Sequence, residues 1–214
     1  GGFPEIKTFG NRLRDLVEDS AYDIVIDNQS LSYGILQVQS KIPMIEIVHH
    51  PITKDYKYDI QFSNGIVQKL SKWRWFSFLR MQKKVAPQIN VISTPSLNSK
   101  NDIEKDFNVI RENISVIPNG IDHIKFSPKK HIERTPGQLI TTASADVPLK
   151  GLDFTLQAIA HLKKDYPLLR LIVIGAPRPG GHTERLIQKL NIEDNVVYKT
   201  NLTKEEIAME YAHS

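Results

Sequence analysis

The sequence predicts an α/β protein made of two doubly wound parallel-sheet domains, both incomplete. Short continuous apolar runs such as Asp23-Ile-Val-Ile-Asp27 and Leu169-Arg-Leu-Ile-Val-Ile174 read as strands buried on both faces, and helical segments separate them. The pattern occurs twice, on either side of Ile114-Ser-Val-Ile-Pro-Asn-Gly-Ile-Asp-His-Ile-Lys-Phe-Ser-Pro128. In that stretch a β-branched run stops at Pro118, which cannot donate to a sheet ladder. Asn119-Gly120 then offers the pair best suited to positive φ and a tight turn. A second stop at Pro128 leads into polar linker up to Pro136-Gly137. The stretch therefore reads as a joint, with domains over 1–134 and 135–214.

The elements follow in order. A helix is predicted around Ile6 to Glu18, strands over Asp23 to Asp27 and Met44 to Val48, and a short helix near Ser32 to Ser40. After His49-His50-Pro51 comes a polar loop, then a long helix from about Gly65 to Val85. A strand over Ile89 to Ser93 precedes a helix opened by Ser96 as N-cap. Ile114 to Ile117 is the fourth strand. Beyond the joint, Leu139 to Thr142, Leu169 to Ile174 and Val196 to Tyr198 are strands. Gly151 to Asp165 is a helix with Leu152, Leu156 and Ile159 on one face, and His182 to Leu190 is another. Thr203-Lys-Glu-Glu206 is a capping box opening the last helix. Three strands leave the second sheet unfinished and the start is equally abrupt, so the chain reads as the middle of a longer protein.

Composition removes several function classes. No apolar run approaches the roughly 20 residues that cross a bilayer, and the N-terminus lacks the plan of a signal peptide. With no cysteine there are no disulfides or thiolate metal sites, which fits the cytoplasm. A net charge of +4 tolerates anionic ligands but falls far short of a nucleic-acid-binding stripe.

Four stretches could carry chemistry. Thr141 to Gly151 is a small-residue loop between a strand and a helix, at the carboxyl edge where open α/β sheets bind ligands. Lys150 and Gly151 there would add a point charge to the free N–H groups of a helix start, a setting for a diphosphate; a solvated surface lysine is the equal alternative. Gly175-Ala-Pro-Arg-Pro-Gly-Gly-His182 fails the P-loop and dinucleotide patterns and reads as a surface loop, with a border to a ligand at the sheet edge as the alternative. His49 and His50 end a strand and point to opposite sides, so they do not share a metal. One could face a cleft while the other packs inside, and a structural histidine is the competing reading. Lys69 to Lys84 holds six basic residues and no acidic ones among Trp73, Trp75, Phe76 and Phe78. It reads as a helix packing its aromatics on the sheet, with contact to an anionic membrane face as the alternative.

Val116-Ile-Pro-Asn-Gly-Ile-Asp122, with Phe126 and Pro128, resembles the "IPNGVD…F.P" signature of the group-one, family-four retaining glycosyltransferases. Lys150-Gly151-Leu-Asp-Phe-Thr-Leu156 is similar to their "KG.d.ll.A" helix start, and Leu171-Ile-Val-Ile-Gly175 to their "l.ivG" strand. Tyr22 to Asp27 and Ile42 to His49 resemble "pDvvh" and "iPvv.tvH". The resemblance runs along nearly the whole chain in order. It implies two Rossmann-like domains of the GT-B type and transfer of a sugar from a nucleotide-diphosphate sugar with retention of configuration. Nucleotide sugar and an unidentified glycan, lipid or small-molecule acceptor would be the partners, with no cofactor and no essential metal. Lys150 would hold the donor diphosphate, with Gly151, Ser144, Asn119 and Gly120 also on the donor side, and His49 would be the catalytic group near the transferred sugar. Charge stabilisation of the departing diphosphate would drive the reaction.

The chain departs from the family pattern in three ways. Ala145 stands where an arginine usually forms a second diphosphate clamp. The N-terminal glycine-rich loop is absent, and the paired-glutamate motif would fall just after Ser214. The segment alone is therefore expected to be inactive. The alternatives are a non-catalytic nucleotide-binding or scaffold protein with this fold, and a related two-domain nucleotide-sugar epimerase.

Overall fold

A computed structural model describes residues 2–18, 22–61, 63, 65–143 and 150–214. Residues up to Gly120 form one compact unit and Ile121–Ser214 a second. Where the sequence reading divides the chain at 134/135, the contacts divide it after Gly120.

The first unit is a parallel sheet in the order β1-β2-β3-β4, formed by β1 (Val25–Asn28), β2 (Met44–Ile47), β3 (Ile92–Thr94) and β4 (Ile114–Val116). Helices α1 (Gly2–Glu18), α2 (Tyr33–Gln39), α3 (Thr53–Gln61), α4 (Gly65–Trp75), α5 (Leu79–Val85) and α6 (Leu97–Phe107) accompany it. Alternate strand residues Met44, Val48, Ile92 and Ile114 meet Ile35, Val38, Met81, Val85 and Phe107 in a closed core. Each such side chain, fully buried, contributes about 1.5–3 kcal/mol. The predicted cover on both faces is only partly met, because Ile26 stays exposed on the other side of the sheet. α1 and α2 cross at Gly10 and Gly34, where a Cβ on Gly34 would sit 2.2 Å from the Gly10 carbonyl oxygen. Only glycine permits that approach.

Two expectations change here. The segment after Pro51, read as a polar loop, is helix α3, whose Lys54 pairs with Asp102 on α6 at 2.5 Å and whose Thr53 hydrogen-bonds Asp106. Tertiary pairing across to α6 overrides its weak apolar pattern. The long helix over 65–85 is broken by a 3₁₀ turn at Phe76–Phe78 into two parts with different fates. Phe76, Phe78, Leu79 and Met81 pack inside as expected, whereas α4 buries no residue at all.

The second unit is a parallel sheet in the order β5-β6-β7, from β5 (Gln138–Thr141), β6 (Arg170–Ile174) and β7 (Val196–Lys199). Helices α7 (Leu152–Leu162), α8 (His182–Leu190) and α9 (Lys204–His213) accompany it. Leu152, Leu156 and Ile159 of α7 form its core with Leu171, Val173 and Ile187. β6 is buried on both faces, since Ile172 is covered as well. The predicted N-caps hold: Ser96 accepts from the Ser99 N–H, and Thr203 and Glu206 form a complete capping box. Gly137 has φ +73°, and a Cβ there would lie 2.6 Å from the Leu168 carbonyl oxygen.

The joint is built differently from the expectation. Neither Asn119 nor Gly120 adopts positive φ, and 117–122 runs without a turn. The chain reverses at Asp122 instead, whose Oδ1 accepts from the Ile124 N–H at 3.2 Å and the Lys125 N–H at 3.0 Å. Those bonds hold the Asp122 carboxyl below its usual range. Lys125 pairs with Glu205 at 2.6 Å and Phe126 meets Tyr211 edge to face, so the segment packs on α9.

Candidate active site

In the first unit the site grows from the carboxyl ends of β1 and β2. Parallel pairing sets Asn28 beside Ile47 and so brings the residues that follow each strand together. The Nε2 of His49 lies 2.9 Å from the Asn28 Oδ1. A carbonyl oxygen only accepts, so Nε2 carries the hydrogen, and in the neutral ring Nδ1 keeps a free lone pair. Gln29 fixes the backbone at the same place. Its Oε1 accepts from the His49 N–H and its Nε2 donates to the His50 carbonyl, both at 2.8 Å. His50 turns to Asp55 in the first turn of α3, at 3.2 Å. Both histidines are exposed, so the expectation that one packs inside is not met. His49 is a held but accessible imidazole, able to accept a proton or a hydrogen bond from a bound hydroxyl.

Beneath these contacts lies a pair of buried carboxyls, Asp27 and Glu46, side by side across β1 and β2. Burial, and then the charge of Asp27, push the Glu46 carboxyl up to about 10. Sequence reasoning missed Asn28, Gln29, Asp27 and Glu46. The visible signal was a glutamate in the middle of the apolar run Met-Ile-Glu-Ile-Val, where an unpaired charge is costly.

In the second unit Gly151 is the N-cap of α7, with φ +70°. It has no side chain with which to cap, so the first N–H groups of α7 receive no side-chain bond from it. Lys150 stands next to them, exposed and without a partner among the described residues. The loop read as ordinary surface contributes here: His182, opening α8, pairs with Asp153 in the first turn of α7 at 2.6 Å. That contact ties the two helix starts at the carboxyl edges of β5 and β6. Its signal in the sequence was an acid just inside a helix start and a histidine at the next one. Ser144 lies outside the described residues, as does Ala145. Asn119 and Gly120 are exposed at the end of the first unit. A groove of about 760 Å³ in the second unit runs between 121–134 and α9, lined largely by apolar residues such as Ile121, Phe126 and Ile207, and contains none of the predicted site residues.

The sequence profile described as Glycosyltransferase Family 4 matches residues 2–125, and that described as Glycosyl transferases group 1 matches 123–214. The chain belongs to the group-one, family-four glycosyltransferases. It is 39% identical over 210 residues to an MMP α-(1→4)-mannosyltransferase of Mycolicibacterium hassiacum, covering 97% of this chain and 50% of the relative. The chain thus spans half the length of that curated relative. Among solved structures it is similar to the sucrose-phosphate synthase of Thermosynechococcus elongatus, with a TM-score of 0.69 at 15% identity, over 99% of this chain and 53% of the other. A glycosyltransferase of Rickettsia africae gives 0.62 at 13% identity, over 98% and 54%. A pneumococcal O-GlcNAc transferase, solved with UDP and GlcNAc, gives 0.59 at 16%, over 92% and 37%. At these identities the structural likeness establishes the fold of the glycosyltransferase, with two Rossmann-like sheets of the GT-B type.

Proposed function

We propose that the whole protein transfers a hexose, mannose first among candidates, from a nucleoside-diphosphate sugar to a glycan, lipid or small-molecule acceptor, with retention of anomeric configuration. The observation that carries this reading is the 39% identity to a mannosyltransferase along almost the entire chain. The departing diphosphate gains negative charge as the glycosidic bond lengthens. Lys150 and the open N–H groups at the start of α7 supply fixed positive charge for it, which lowers the barrier most when the donors are already in place. His49 contributes from the acceptor-side unit through the free Nδ1 lone pair. With the charge provided by protein groups, the transfer needs no metal and no other cofactor.

The test is turnover of the full-length protein on a panel of nucleotide sugars, read as released nucleoside diphosphate and as the anomeric configuration of the product. His49→Ala should lower turnover by about 10²-fold or more, the range of a lost acid–base group, with nucleotide affinity nearly unchanged. Chelator should leave turnover unchanged. Nucleotide affinity with no release from any donor would favour the non-catalytic binding reading instead. Residues 1–214 alone should not turn over, since the paired glutamates expected of the family are not among them.

One observation favours a cytoplasmic position at the inner membrane face. Ile66 and Val67 of α4 are 77% and 81% exposed, with Leu70 and Trp73 on the same helix and Lys69, Lys72 and Arg74 between them. Apolar residues flanked by cations suit an anionic lipid surface. Co-sedimentation with anionic but not neutral vesicles, lost in Ile66→Glu/Val67→Glu, is the expected result.

A further inference from the structure

The contacts that hold His49 rest on a buried polar layer with no direct part in sugar transfer. Asp27 and Glu46 are direct partners in the β1–β2 ladder, so both side chains leave the sheet on its core face. They are 4% and 0% exposed. The Asp27 Oδ2 accepts from the Ser30 N–H at 2.9 Å, while neither Glu46 oxygen has a partner in full hydrogen-bond geometry among the described residues. The N–H groups of Leu31 and Gln29 act on the Glu46 carboxyl and favour its ionised form, but burial and Asp27 outweigh them. Asp27 is the titratable group that faces Glu46. The other neighbours on that face, Ile92 and Thr94 of β3, and Gln82 of α5 over the loop, carry no charge.

The loop that crosses this layer is strained. Gln29 has φ +66° and Leu31 φ +45°, and Leu31 is wholly buried. A branched residue held in the left-handed region costs about 1–2 kcal/mol, so its surroundings must impose the conformation. Asn28 and Gln29, at the start of the same loop, are the two residues that grip His49. Burial of two adjacent carboxyls, strain in the loop above them, and the grip on His49 thus occupy a run of five residues and its partner strand.

We propose that Glu46, paired with Asp27 beneath the loop, is a positioning residue for His49: it holds residues 28–32 in their left-handed turns, and that loop aims the imidazole through Asn28 and fixes its backbone through Gln29. The proposal rests on the reading of His49 as part of the transfer site.

The test uses full-length protein labelled with ¹⁵N-histidine, with the His49 signals assigned by their loss in His49→Gln. Glu46→Leu should fold, because it removes a buried carboxyl that faces a like-charged group and has no opposite charge beside it. Its His49 ring signals should leave the wild-type positions, and turnover should fall about a hundredfold, as expected of a small misplacement. Glu46→Gln, which keeps the shape and a donor, should restore both. Wild-type His49 signals in Glu46→Leu would overturn the proposal whatever the turnover. A second arm does not depend on that variant: raising the pH of the wild type should move the His49 signals with a midpoint near 10, where Glu46 ionises beside Asp27, and Glu46→Gln should lack that transition. Its absence in the wild type, or its persistence in Glu46→Gln, would equally overturn it. If the signals follow Glu46 while His49→Ala keeps full turnover, the positioning stands and the role of His49 in transfer falls.

Discussion

The carboxyl edges of the two sheets are built by opposite means. At the edge of the first sheet an exposed imidazole is held at its ring and its backbone by Asn28 and Gln29, which stand on a strained loop over two buried carboxyls. At the edge of the second sheet a helix start is capped by glycine, which gives its N–H groups no side-chain bond, and Lys150 beside them is exposed with no partner among the described residues. The first arrangement fixes direction and is costly, because buried polar groups and left-handed residues both oppose folding. The second fixes only charge, and it uses groups that every helix leaves open. A reacting hydroxyl needs an oriented partner, whereas a diphosphate, with its many oxygens, accepts charge from several directions. The difference in construction suits the two roles proposed above.

The largest effect should appear in the cost of the acceptor-side layer. Glu46 titrates near 10 in the folded protein against an ordinary 4.5. Between those values the folded state holds a proton that the unfolded state has released, so stability falls as pH rises across the window. The slope approaches about 1.4 kcal/mol per pH unit, which amounts to about 3 kcal/mol by neutral pH. Glu46→Gln removes this titration. Urea unfolding should therefore show the variant gaining on the wild type as pH rises, with the two converging towards the ordinary carboxylate range. Equal pH profiles would mean that the acceptor-side layer carries no such cost, and the comparison would fail at its root.

Lys150 should behave in the reverse sense. Lys150→Ala should weaken nucleoside-diphosphate binding by about 1.5–3 kcal/mol in calorimetry, the range of a charge-assisted hydrogen bond. Its unfolding midpoint should stay where it was, since the side chain is exposed and unpaired among the described residues. The affinity loss should shrink with added salt. A fall in stability with unchanged affinity would make Lys150 a structural residue and leave α7 without its cation.

The strands of the fold were legible because they are short, largely apolar runs, and α7 and α8 because their buried residues recur at helical spacing. α3 was not legible, since its sequence Thr-Lys-Asp-Tyr-Lys-Tyr-Asp-Ile-Gln has few apolar residues and its helix is tied to α6 by polar pairs distant in sequence. The break at Phe76 was hidden for a related reason: the aromatics are continuous in sequence, but only those after Trp75 reach the core. At the site, Lys150 and His49 could be named from motif and position. Asn28 and Gln29 could not, because what matters is their register opposite the end of β2, a property of the pairing and not of either strand alone. Glu46 was in plain view within an apolar strand and went unused.

The joint gives the smallest effect and isolates the one local rule that misled. Asn119-Gly120 invites a positive-φ turn, yet the chain passes through it extended and reverses at Asp122. A Cβ at Gly120 would meet nothing within 4 Å. Gly120→Ala should therefore leave stability unchanged or raise it by about 0.4–1 kcal/mol through the unfolded chain. Asp122→Ala removes an acceptor for two backbone N–H groups and should lower stability, as the loss of a comparable cap does. Because those bonds lower the Asp122 pKa in the folded state, its contribution is present above the ordinary value of 3.8 and is lost as pH falls below it. The gap between the two substitutions, compared by urea unfolding, should be wider at neutral than at acid pH. If Gly120→Ala proved the more damaging, the turn would belong to Asn119-Gly120 after all, and the division of the chain after Gly120 would need redrawing.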